Sequence, residues 1–255
     1  MATEQFILIP GPVLLTPLHI LIFGSTLLVY NAPRTLRRPF AHENNDRGKF
    51  RNPRTWYFTF FFLGLIITLY ALPALSMHML IACAVLGTLA FAYSLPILPL
   101  KNKKRLRDFG WLKILTLASV WTIATSVLPI VYHGKMIFAY PFEILLRLVF
   151  IFTLCIIFDI RDMQTDLRQN LYTLPNKMGT RNSYRLINGT LLLFVLLSGL
   201  QYIRYPMASR LISAIITAII TRIVVGYLRK HPTDRAYMGL ADGMMLLYSI
   251  LVVFT

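Results

Sequence analysis

The sequence predicts an all-α, polytopic membrane bundle of about eight transmembrane helices, and three observations predict it. Hydrophobic residues make up 56% of the 255-residue chain and charged residues only 14%, where a soluble domain carries about 25% charge. The apolar residues fall in eight runs, each close to the roughly 20 residues needed to cross a bilayer. Between these runs the basic residues gather in alternate loops. The net charge of +16 would suggest nucleic acid in a soluble protein. Here topology accounts for it, and no nucleic-acid motif is present.

The eight runs are Gly11–Tyr30, Thr55–Leu75, Met77–Leu98, Trp111–Tyr132, Phe138–Phe158, Tyr184–Ile203, Ala208–Leu228 and Tyr237–Thr255. No soluble domain fits between them, so residues 1–255 read as one domain. The N-terminus, MATEQFILIPGP, lacks the basic region of a signal peptide. Cys83 and Cys155 lie inside apolar runs and read as small buried hydrophobes. Of the 26 basic residues, all but Lys135, Arg147, Arg204 and Arg210 lie in or beside the first, third, fifth and seventh loops. The positive-inside rule places those loops in the cytoplasm.

Ionisable residues inside spans are candidates for function. Glu143 and Arg147, four apart on one helix, are expected to pair. Arg222 and Asp242 face the same end of the last two spans, and a salt bridge between them is expected. Ser119, Thr122 and Ser126 form a stripe that lines a chamber or a packing seam. His19 reads as a satisfied polar residue, and Phe58 to Phe62 as lipid-facing bulk.

Acids are scarce: ten in the whole chain, with three of them, Asp159, Asp162 and Asp166, between residues 159 and 166. Their i, i+3, i+7 spacing puts three carboxylates on one helix face. Like charges so placed at a membrane boundary call for a counter-cation. Oxygen-only donors, with no His or Cys nearby, suit a hard ion such as Mg²⁺, whose shell is commonly completed by water and substrate phosphates. A solvated helix end with acids by chance is the plainer reading.

This stretch resembles the second aspartate-rich motif of the UbiA-type intramembrane prenyltransferases. The resemblance runs through Asp159-Ile160-Arg161-Asp162, Asp166, Arg168, Thr173-Leu174-Pro175 and Gly179. A second resemblance is the family's Y-S-x-P element followed by basic residues, here Tyr93-Ser94-Leu95-Pro96 and then Lys101, Lys103, Lys104 and Arg105. Those cations offer donors to a diphosphate, although the positive-inside rule or anionic lipid also explains them. The family's first motif, N-D-x-x-D-x-x-x-D, is represented only by Asn31; Ala32, Thr35 and Pro39 stand where the family has Asp. Arg34, Arg37 and Arg38 occupy the same segment. They either pair with phosphate oxygens in place of a second metal or anchor the membrane boundary.

The resemblance implies a helical bundle around a chamber open to the bilayer. It implies Mg²⁺-dependent transfer of a prenyl group from a polyprenyl diphosphate to an aromatic or other lipophilic acceptor. Asp162 and Asp166 would hold the metal with help from Asp159. Lys101, Lys104, Arg105, Arg34, Asn31 and Tyr93 would bind the diphosphate. The degenerate first motif supports an alternative, a UbiA-fold protein that binds an isoprenoid lipid or a membrane partner without catalysis. A transporter would show paired broken helices in two halves, and the sequence has none.

Overall fold

The structure, a computed structural model, describes residues 3–4, 16–36, 53–94, 110–168 and 171–254. Among them the regular elements are all helical. The helices are α1 (Pro17–Leu36), α2 (Pro53–Ala71), α3 (Met77–Ser94), α4 (Gly110–Tyr132), α5 (Pro141–Arg168), α6 (Leu174–Arg204), α7 (Ala208–Lys230) and α8 (Asp234–Phe254). Six stretches, covering α2 and α4 to α8, are long and apolar enough to cross a membrane, and α1 and α3 carry shorter apolar segments. The chain is a multi-pass integral membrane protein.

Two departures from the apolar runs have local causes. The first run was expected to end at Tyr30, but α1, which opens on Pro17, a residue pre-set for a helix start, continues to Leu36; residues 11–15 of that run lie outside the described set. The sixth was expected from Tyr184, but α6 begins at Leu174, with Pro175 in its first turn. Its polar opening turns form a helix without being apolar, so hydropathy does not register them. This opening is broken at Gly179, whose φ of 79° and ψ of 160° lie in a region open essentially only to glycine.

The core centres on α5. Its inward face packs against α4, α6 and α8 through Ile114, Phe150, Leu154, Ile157, Phe194 and Tyr248. Phe150, Phe194 and Tyr248 form an aromatic trio with centroids 5.1 to 5.5 Å apart. A smaller cluster of Leu18, Leu21, Ala71, Leu75, Met79 and Leu128 ties α1, α2 and α3 to α4. Outward faces carry exposed Phe58, Phe60 and Phe62, as expected of lipid-facing bulk.

α4 contains a π-helical turn at Ile123–Val127, just before Pro129. Proline has no N–H to return to the carbonyl four residues back, so the Thr125 carbonyl lacks its helical donor. The Thr3 hydroxyl lies 2.8 Å from that oxygen and 2.9 Å from Glu143 Oε1. Arg147 pairs with Glu143 at 3.2 Å, as expected, and stacks over the Tyr248 ring at 5.0 Å. His19 Nδ1 meets the Thr16 hydroxyl at 2.9 Å, while its Nε2 lies 2.8 Å from Glu4 Oε2 as an ion-pair contact without hydrogen-bond geometry. α4 ends in a Schellman turn: Gly134 (φ 66°) donates to Val131 and Lys135 to Ile130, both at 3.0 Å.

Candidate functional site

The C-terminal turns of α5 carry the three aspartates, and the start of α4 lies across them. Gly110 makes this approach possible, since a Cβ there would overlap the Tyr172 carbonyl oxygen. Asn176 clamps the far side, its Nδ2 donating to the Met163 and Leu171 carbonyls at 3.3 Å each. The Leu171 N–H returns to the Asp166 carbonyl at 2.8 Å. The helix end is therefore tied down on three sides.

Asp159 and Asp166 are buried on the face towards α4. The Lys113 ammonium sits between them, 2.9 Å from Asp159 Oδ1 and 3.0 Å from Asp166 Oδ2. Asp162 does not converge with them. It takes two hydrogen bonds from Arg161, Nε to Oδ1 at 2.7 Å and Nη2 to Oδ2 at 3.0 Å. Arg161 also stacks over the Phe158 ring at 5.1 Å and is an electrostatic neighbour of Asp234 and Asp242 at the start of α8. Among the described residues no three His, Cys, Asp or Glu side chains are arranged to hold a metal ion.

The donors nevertheless suit a hard cation in kind. They are carboxylates, and Asp159 Oδ2 is buried without a hydrogen-bond partner, an acceptor in need of a positive neighbour. Asp159 and Asp166 could supply oxygen ligands to Mg²⁺ once Lys113 is drawn away.

Beside this charged end lies an apolar cavity of about 600 Å³ between α1, α2, α3 and α4. Its polar lining comes from Ser25, Thr26, Tyr30, Thr68, Cys83 and Tyr93. The α4 wall is Leu117, Val120, Trp121, Ala124 and Leu128. Lys113 precedes Leu117 by four residues, so it continues the same stripe one turn beyond the cavity. The α4 stripe thus runs unbroken from the carboxylates into the apolar space.

Of the other expected site residues, Tyr93 lines the cavity. Asn31 is buried and donates to the Leu27 carbonyl of its own helix at 2.7 Å. The Arg34 side chain and residues Arg37, Arg38, Lys101, Lys104 and Arg105 lie outside the described set. Arg222 and Asp242 form no salt bridge, contrary to expectation: Arg222 runs along its own helix towards Gly226, and Arg161 takes the place beside Asp242. Thr122 and Ser126 are buried, and neither lines the cavity, so that stripe packs helices. Lys113 was counted only as a loop charge. The signal that marks it is a lone cation between Trp111-Leu112 and Ile114-Leu115, the one charged side chain of the run Trp111–Tyr132.

Fold and site together define a multi-pass membrane bundle with a carboxylate and cation cluster at one end of an apolar chamber. The chain belongs to the UbiA prenyltransferase family, which it matches over residues 31–250. A UbiA homolog from Archaeoglobus fulgidus bound to Cd²⁺ superposes with a TM-score of 0.61 at 12% identity, covering 94% of this chain and 90% of that one. A UbiA homolog from Archaeoglobus fulgidus bound to GPP and Mg²⁺ gives 0.57 at 12% identity, covering 94% and 84%. A structure concerned with digeranylgeranylglyceryl phosphate synthase in membranes gives 0.54 at 17% identity, covering 94% and 85%. At these identities the likeness is one of fold. No curated protein matches the sequence significantly.

Proposed function

We propose that this protein is a Mg²⁺-dependent prenyltransferase, moving a prenyl group from a polyprenyl diphosphate to an aromatic or other lipophilic acceptor within the bilayer. The observation that carries this reading is the single stripe of α4 joining the aspartate cluster to the 600 Å³ apolar cavity. A substrate with an anionic head and an apolar tail needs that juxtaposition. Family membership and the GPP- and Mg²⁺-bound relative of the same fold support it.

In this reading the tail lies among the apolar residues of α1, α3 and α4. Tyr30 and Tyr93 place hydroxyls along the cavity wall. Lys101, Lys104, Arg105, Arg34 and Asn31 receive the diphosphate from the cytoplasmic loops, where guanidinium forks suit phosphate oxygens. When bound to Asp159 and Asp166, with Asp162 joining on release from Arg161, Mg²⁺ would neutralise the diphosphate and make it a better leaving group. The C1–O bond of the prenyl diphosphate breaks, the acceptor forms the new bond to C1 and loses a proton, and diphosphate departs. Apolar walls keep water from the reacting carbon.

The test is release of diphosphate from a labelled prenyl diphosphate by purified protein in nanodiscs, with and without an aromatic acceptor and Mg²⁺. Release that requires Mg²⁺ and disappears in the Asp159→Asn, Asp166→Asn double variant is the expected result. The second reading, an isoprenoid-binding protein without catalysis, draws on the missing first-motif acids and on the pairing of all three aspartates with protein cations. Prenyl diphosphate binding with no turnover under any of these conditions would favour it.

A further inference from the structure

The geometry points to Lys113 as a resident counter-ion that holds Asp159 and Asp166 together in the seat a divalent cation would take, so that metal binding displaces the ammonium towards the anionic head of the substrate. The displaced-ammonium half rests on the prenyl diphosphate reading; the counter-ion half does not.

Asp159 and Asp166 lie seven residues apart, two turns of helix, yet one ammonium reaches both, at 2.9 and 3.0 Å. The three side chains are shielded, with 16%, 5% and 8% of the surfaces of Lys113, Asp159 and Asp166 exposed. Two ionised carboxylates buried this way without a cation would be strongly unfavourable, so the seat favours occupation by a positive group. Lysine suits an exchangeable one. Its charge is compact, carried on a flexible four-carbon stem with three donors, and α4 directs that stem from the cavity stripe. Arg161 is committed elsewhere: both of its bonds go to Asp162, and its plane stacks on Phe158. The buried, unpartnered Asp159 Oδ2 is the acceptor that the single ammonium leaves unserved.

Two cations that compete for the same carboxylates give opposite effects on substitution. Lys113→Gln removes the competitor, so the full-length protein in nanodiscs, titrated with Mn²⁺ alone and followed by the free-ion EPR signal, should bind at least tenfold more tightly than wild type. Lys113→Arg, which keeps the charge, should show no such gain. Equal or weaker Mn²⁺ binding by Lys113→Gln, or no binding by either protein, overturns the proposal.

A second measurement needs no variant. Acylation of wild-type Lys113 by an amine reagent, read by mass spectrometry against the remote Lys135, should speed up severalfold on adding Mg²⁺, and an unchanged ratio overturns the proposal. With Mg²⁺ saturating, Lys113→Gln should weaken prenyl diphosphate binding about tenfold; unchanged affinity overturns the displaced-ammonium half. If neither protein binds prenyl diphosphate while the Mn²⁺ difference holds, the substrate reading falls and the counter-ion stands. The converse pattern removes the counter-ion alone.

Discussion

Gly110 shows how one missing side chain sets the spacing of the site. Its Cα lies against the Tyr172 carbonyl, which seats the 171–173 segment on the first turn of α4 and brings Lys113, three residues on, between Asp159 and Asp166. Gly110→Ala has to push backbone against backbone, since neither neighbour is the free end of a side chain. It is expected to cost about 1–3 kcal/mol, the range for overpacking, seen as a lowered Tm, and to raise Lys113 acylation without added metal. A Tm equal to wild type would show that the segment yields freely. The carboxylate stripe was legible because helical period alone puts residues 159, 162 and 166 on one side. Its partners were not. Whether Asp162 turns to Arg161 or joins its neighbours depends on rotamer and packing, and Lys113, already inside the fourth run, counted as a loop charge because nothing in the sequence shows which neighbour its side chain faces. The expected Arg222–Asp242 bridge failed for the same reason: shared depth says nothing about azimuth.

At the scale of elements, α1 and α2 form the tightest pair, and two glycines close the seam. A Cβ on Gly64 would come within 2.7 Å of the Leu28 nitrogen and 2.8 Å of the Gly24 carbonyl oxygen. One on Gly24 would meet Ile67 Cγ2 at 2.7 Å and the Thr68 nitrogen at 2.9 Å. Small residues bring helices into contact where lipid removes the hydrophobic drive for association. Most of α2 otherwise faces outward, so this seam fixes where α1 stands, and α1 is one wall of the cavity. Gly64→Val should therefore lower stability by about 1–3 kcal/mol and reduce the capture of an apolar ligand by the cavity. Gly199→Ala in α6, with nothing within 4 Å of the added carbon, should lose nothing. Equal melting curves for the two variants would count against a glycine-closed seam. The existence and order of these helices could be read from hydropathy, because the bilayer imposes a length on each. Their ends could not, because the opening of α6 is helical while polar.

Across the whole molecule the two ends differ in how their charge is compensated, and this bears on orientation. At the end holding Lys135, Arg147 is neutralised by Glu143, and Glu4 lies between His19 and His133 at 2.8 and 3.3 Å. Arg147, one of the four exceptions to the charge split, therefore adds little net charge at its own end. At the aspartate end the basic residues far outnumber the acids, and the negative potential of an inner leaflet favours that surplus. A diphosphate does not cross an apolar bilayer unaided, so the side on which the site opens decides which pool supplies it. We expect the aspartate end in the cytoplasm. Lys177 and Lys135 are both exposed, at opposite ends of the bundle, and the native cysteines lie within the bundle, Cys155 buried and Cys83 half-buried. In a background lacking both, Lys135→Cys should react with a membrane-impermeant maleimide on intact cells. Lys177→Cys should react only after permeabilisation. The reverse pattern would invert the molecule and open the site to the outer face, out of reach of the cytoplasmic prenyl diphosphate that the proposed function requires.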